Sequence, residues 1–253
     1  MVRGAVSGRI LTSVPVLALD TSAAVSVALI KEGVTLAARV VHEQRRHAEQ
    51  LAPMIAEVLA ETGTDRTELT SVVVGTGPAP FTGLRVGLVS ARTLGLALDI
   101  PVYGVCGLDA IAAQAAVDLS LASATEVLVV TDARRREVYW ARYRVSRSRS
   151  LAGGGSLSSS SVAVTLVAGP GVATAAQVAA EGYAEGAVVV GPGASLYPEV
   201  FAPVPGAPVD PDPVVLAQLA LARVARGEDL PTTPLYLRRP DVMPPAARKR
   251  ALA

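Results

Sequence analysis

GTGPAPFTGLRVG, residues 75–87, decides how the rest of the chain is read. It follows a short apolar run, Ser71–Gly75 (SVVVG), and opens a stretch with helical periodicity over residues 82–98. A buried strand, a rigid Gly/Pro loop and a helix in that order form one unit of an α/β fold. Upstream, residues 14–20 (VPVLALD), 24–30 (AVSVALI) and 34–41 read as three strands joined by short turns, an antiparallel meander. Between meander and loop, Leu51, Ile55, Val58 and Leu59 recur at spacings of three and four, predicting a helix over residues 48–62 that stops at Gly63. Downstream, residues 101–105 read as a strand and residues 108–117 as an Ala-rich helix.

The second half repeats the theme loosely. Strands are expected at 126–132, 137–145, 165–169 and 187–191, and helices at 173–181 and 212–226. The predicted class is α/β, with two related subdomains, each a mixed sheet flanked by helices. The expected division is an N-terminal subdomain at 14–108 and a C-terminal one at 109–240. Residues 146–161 (SRSRSLAGGGSLSSSS) read as a flexible Ser/Gly loop, and residues 1–13 and 241–253 as disordered ends. With 253 residues, 51% hydrophobic and 18% charged, the chain is too apolar for disorder throughout. A net charge of +1 argues against general polyanion binding, and a single cysteine, Cys106, against a disulfide framework or a Cys-rich zinc site. No apolar run approaches the roughly 20 residues of a membrane span. A cytoplasmic protein with no membrane partner is expected.

Five features bear on chemistry. Asp20-Thr21-Ser22 stands where the first strand enters a tight turn: it either holds a metal-bound phosphate or merely satisfies turn amides. The 75–87 loop suits an anion at a helix N-terminus, yet it lacks the Gly-Lys-Ser/Thr of a P-loop. Gly83, Gly87, Ala91 and Gly95 make a small-residue stripe at a spacing of four. Each interior glycine costs up to about 1 kcal/mol, so something approaches closely: the protein's own sheet, or a helix of another chain. His42 and His47, the only histidines, make no metal motif. Residues 132–140 (DARRREVYW) join arginines to aromatics, which fits either a solvated strand edge or RNA held by charge and stacking.

Five stretches in order, LALDTSAAVSVALI, RRHAEQLAPMI, GTGPAPFTGLRVG, DARRREVYWA and PLYLR, resemble the bacterial TsaB/YeaZ family over residues 14–239. The resemblance implies an actin/Hsp70-like (ASKHA) fold. It implies a dimerization subunit of the machinery that makes threonylcarbamoyladenosine next to the tRNA anticodon. The implied partners are the catalytic paralogue TsaD, the ATPase subunit TsaE and, through the complex, tRNA; whether the chain alone is a monomer or pairs two copies through the same helices, as a homodimer, the sequence leaves open. The implied interface is the two helices of the first subdomain, with Leu51, Ile55, Val58, Gly83, Gly87, Leu88 and Ala91 as contacts. On that expectation a Gly87→Leu change blocks assembly and spares the fold.

The departures are specific. Gly107 and Ile111 stand where the paralogue's H-x-x-x-H metal ligands would fall, so no metal site and no catalytic residue is expected. Ala23-Ala24 follow Ser22 where an ASKHA ATPase shows glycine, which weakens Asp20, Thr21 and Ser22 as a phosphate turn. Ala79-Pro80 replaces the more usual Gly-Ser. The expectation is a non-catalytic scaffold without a cofactor of its own, ATP belonging at most to a complex interface. The alternative is a stand-alone nucleotide hydrolase or phosphotransferase using Asp20.

Overall fold

The computed structural model describes residues 14–42, 47–149 and 160–238. The first sheet has the order β3-β2-β1-β4-β5, with β1 Val16–Asp20, β2 Val25–Lys31, β3 Val34–Val41, β4 Ser71–Gly75 and β5 Val102–Val105. The meander pairs antiparallel, and β1, β4 and β5 run parallel. Parallel strands need a crossover, supplied by helices α1 (His47–Thr62) and α2 (Phe81–Leu98). Successive β1 residues serve opposite faces. Leu17 and Leu19 pack with Leu51, Ile55, Val58 and Leu88 of α1 and α2, while Val16 and Ala18 pack with Leu216 and Ala220 of α6 (Pro213–Ala225). Burial on both faces is why β1 and β4 read as continuous apolar runs.

The second sheet has the order β8-β7-β6-β9: β6 Glu126–Asp132, β7 Glu137–Arg149, β8 Ser160–Thr174 and β9 Ala187–Val190. Helix α3 (Gly107–Asp118) covers one face through Leu108, Ile111 and Ala115. The short helices α4 (Ala175–Ala180) and α5 (Pro192–Leu196) sit on the other, around Trp140, Val178 and Phe201. Helix α6, late in the chain, returns to the first sheet and also meets α3. A final strap ties to the first sheet through Gly104 N–H to Leu230 O (3.0 Å) and Leu235 N–H to Thr76 O (2.9 Å). Among the described residues no helix is long and apolar enough to cross a membrane.

Several expectations change. The β7–β8 hairpin runs into the segment read as loop: Ser146 pairs with Ala163, Arg147 with Val162 and Ser148 with Ser161. Alternation survives there, since Val145 is buried on the α3 side while Arg144 points outward. Residues 150–159 lie outside the described residues, as do 1–13 and 241–253. Gly169-Pro170-Gly171 does not end β8, because the strand passes tightly over Trp140; a Cβ at Gly171 would meet Trp140 Nε1 at 2.8 Å. Helix α4 is shorter than residues 173–181, with Thr174 and Gln177 closing a capping box at its start. The short α5 follows Gly191 in a stretch read only as loop.

Candidate functional site

The turn after β1 is built from its side chains inward. Asp20 is buried, and its Oδ1 accepts from Ser22 N–H (2.8 Å) and Ser22 Oγ–H (2.5 Å). Its Oδ2 has no partner and lies against Gly75, where a Cβ would fall 1.8 Å away. Burial pushes the carboxyl up to about 6, against the pull of the two Ser22 bonds. Thr21 turns away from the cleft: its Oγ donates to Gly83 O (2.8 Å) and accepts from Gly87 N–H (2.9 Å). Gly75 and Gly87 are thus glycines for a local reason, each leaving room for one polar atom of this turn. The Asp20–Ser22 bonds are local to the turn, whereas Thr21 ties the turn to α2.

Beyond the turn, a cleft of about 800 Å³ separates the two sheets' helices. Ser22, Ala23, Pro78, Pro80 and Val86 line one wall, and Ile111, Thr131, Asp132, Leu196 and Asp210 others. Asp210, raised by burial, faces His42 Nδ1 at 3.3 Å. Thr131 Oγ is buried without a partner. Asp210 was not legible as a cleft residue, since no motif surrounds it, and Thr131 stands one residue before the 132–140 stretch, outside its pattern. The cleft carries the carboxylates of Asp132 and Asp210 beside the exposed Ala23.

Gly107 and Ile111, where the paralogue's two histidines would stand, both line the cleft and neither carries a donor atom; a Cβ at Gly107 would come within 3.0 Å of Pro211 Cγ. Among the described residues no group of three or more His, Cys, Asp or Glu could hold a metal. Burial pushes the Cys106 thiol up to about 12, leaving no thiolate for attack.

The expected partner contacts lie elsewhere than at a free surface. Leu51, Ile55, Val58, Leu88 and Ala91 are in the core with β1, β2 and β4, Gly87 is buried, and Gly83 is half-buried. The stripe faces the protein's own sheet: a Cβ at Gly95 would strike Val102 at 2.3 Å, and one at Gly87 would strike Thr21 Oγ at 2.6 Å. Gly87→Leu would therefore break the fold, which corrects the expectation that it spares it. The helices' outer face carries Ala52, Ala56 and Ala60 on α1 and Val89, Thr93 and Leu96 on α2; Val89 is 60% and Leu96 86% exposed. Periodicity marked the buried stripe and hid the outer one, whose residues are small or isolated.

A family model described as TsaD, tRNA N6-adenosine threonylcarbamoyltransferase, matches residues 35–201. An uncharacterized protein of Mycobacterium tuberculosis is 41% identical over 232 residues, 90% of this chain and 94% of the relative. The tRNA threonylcarbamoyladenosine biosynthesis protein TsaB of Escherichia coli is 38% identical over 130 residues, 51% of this chain and 54% of that protein. Two solved structures from Pseudomonas aeruginosa superpose over nearly the whole chain. One, described as similar to peptidase YeaZ, has a TM-score of 0.71 and 32% identity, covering 89% of this chain and all of the other. The other, YeaZ, has a TM-score of 0.68 and 30% identity over 88% of this chain. Sequence, family model and actin-like two-sheet fold agree: the chain belongs to the TsaB/YeaZ family.

Proposed function

We propose that the chain is a non-catalytic subunit that binds the catalytic threonylcarbamoyltransferase paralogue, TsaD, and serves threonylcarbamoyladenosine formation in tRNA. The observation that carries this reading is the uncovered apolar face on α1 and α2, with Val89 and Leu96 standing clear of a sheet already covered. Three features support the absence of independent catalysis. Position 107 is a glycine with no donor atom for a metal, the Asp20 turn spends its hydroxyls internally, and burial pushes the Cys106 thiol well up. ATP and the ATPase subunit TsaE act on the assembly, and without TsaD the same outer face pairs two copies of this chain.

Light scattering on the chain, mixed with the catalytic paralogue of the same organism, tests this. A heterocomplex is expected, and Leu96→Arg with Val89→Glu should abolish it while leaving the melting temperature nearly unchanged, since both side chains are exposed. An unaffected complex would overturn the interface. No complex at all, together with ATP turnover that Asp20→Ala removes, would favour the nucleotide-hydrolase reading instead.

A further inference from the structure

We propose that the notch between the β6–β7 hairpin tip and the end of the C-terminal strap binds single-stranded RNA, one unpaired base on its aromatic floor and the flanking phosphates on its arginines. The inference rests on the reading of the chain as a tRNA-modification subunit, which selects RNA among polyanions. Three independent observations carry it.

The first is the hairpin tip. Arg134, Arg135 and Arg136 occupy the left-handed region in succession, with φ of 64°, 54° and 63°. That conformation suits glycine or asparagine and strains a longer side chain. The loop is held in it by Ala133 N–H to Glu137 O (3.0 Å), Glu137 N–H to Arg134 O (3.0 Å) and Arg134 N–H to Asp132 Oδ1 (2.7 Å). Three arginines kept exposed at a strained tip point to a use for their charge.

The second is the floor. A cavity of about 320 Å³ is lined by Phe81, Tyr139, Tyr236 and Arg238 beside the tip. Phe81 and Tyr236 lie 4.8 Å apart, centroid to centroid, and the Arg85 guanidinium sits 3.4 Å over Phe81 and donates to Tyr236 Oη (3.0 Å). Tyr236 remains 40% exposed, an aromatic surface fixed in orientation and open to a stacking base.

The third is charge. Among the described residues, Arg134, Arg135 and Arg238 line the notch, Arg136 follows them at the tip and Arg85 caps the aromatic floor, while the nearby carboxylates Asp132 and Glu137 pair with Arg134 and Arg238. This local excess of cations, in a chain of net charge +1, complements phosphate. A duplex keeps its bases stacked inside and cannot place one on the floor, so the notch selects unpaired strands.

The test is fluorescence anisotropy with a labelled anticodon stem-loop RNA, using the full chain alone and with the catalytic paralogue, and light scattering on the same samples. Tyr236→Leu, which keeps the apolar contact with Phe81, should weaken RNA binding about tenfold and leave binding to a duplex DNA unchanged. Arg135→Asn with Arg136→Gly should weaken it similarly and lower the slope of log affinity against log salt by about 1.4. The same double variant should raise the melting temperature, because it relieves the left-handed strain; a purely structural tip would give that rise with RNA affinity intact. Affinities within about twofold of the unaltered chain for both variants overturn the proposal. So does an unaltered chain that binds no RNA in either state, or displacement of RNA by polyglutamate at equal charge, which assigns the notch to a protein. If no heterocomplex forms, the scaffold reading fails, and the variants' effects on the chain alone still decide the notch.

Discussion

Asp20→Asn is expected to stabilise the fold at neutral pH and to lose that advantage as the solution is acidified. The native carboxyl titrates at about 6 rather than at its ordinary 3.8, chiefly because it is buried. At about 1.4 kcal/mol per pH unit, holding it ionised at pH 7 costs the native state about 3 kcal/mol. The folded value lies above the unfolded one, so the penalty is complete above pH 6, shrinks as pH falls, and is gone below about 4. Asparagine carries no charge and keeps an oxygen for the two Ser22 donors. It also places an amide N–H where Asp20 Oδ2 has no partner, at a cost of about 1–2 kcal/mol. The net gain at pH 7 is then about 1–2 kcal/mol. The stranded amide has no pH dependence, so it cancels between pH values: the stability difference between variant and unaltered chain should change by about 2.4 kcal/mol between pH 7 and pH 4. Urea unfolding of both proteins at pH 7, 6, 5 and 4 measures it. A difference that stays constant across that range would refute the buried, ionised Asp20 on which the reasoning stands.

Gly87→Ala should destabilise by about 2 kcal/mol in thermal melts, because its Cβ displaces the Thr21 hydroxyl from two hydrogen bonds and outweighs the helix-propensity gain. Arg223→Met should cost about 3 kcal/mol by leaving Asp109, 14% exposed, with Tyr143 as its one side-chain donor among the described residues. Adding Asp109→Leu should recover most of that loss, which a double-mutant cycle reads directly.

The sequence made the elements legible wherever one period dominated. The strand–loop–helix unit around residues 71–98 and the meander before it emerged with ends within one or two residues, because their apolar runs are bounded by Gly, Pro and Asp. What periodicity leaves out is the identity of the neighbour. The stripe through Gly87 reads equally well as a partner face or a buried one; the answer lies in Thr21, 66 residues away, whose hydroxyl bonds to the Gly87 amide. The outer continuation of the β7–β8 hairpin was hidden by low hydrophobicity: Ser146 is exposed, and Arg147, on the α3 side, bonds to Leu121 O and Ala116 O instead of packing an apolar side chain. The strap was hidden because its ties are backbone bonds, Leu235 N–H to Thr76 O among them, which no side-chain pattern announces. His42 and Asp210 meet only because the chain returns to the cleft before α6.

That return has a mechanical consequence. The cleft is bridged at its floor by Gly107 N–H to Gly77 O (2.8 Å) and beside it by the Arg223–Asp109 pair (2.6 Å), which joins α6 on the first sheet to α3 on the second. On the far side, Arg238 donates to Ala133 O and pairs with Glu137, both at 2.7 Å, while the strap before it is bonded to the first sheet. A hinge motion of the two lobes would have to break these ties together, whereas domain closure in a working clamp is absorbed by a few free backbone torsions. The chain is thus built to present fixed surfaces. Two of those surfaces share α2. Arg85 and Val89 are one helical turn apart, as are Arg92 and Leu96, and all four are exposed. The arginines reach sideways to Tyr236 and Thr232 of the strap, while Val89 and Leu96 stand on the open outer face. A subunit seated on that face therefore abuts the arginine and aromatic notch, and an RNA strand leaving the notch along α2 would meet that subunit within one or two helical turns.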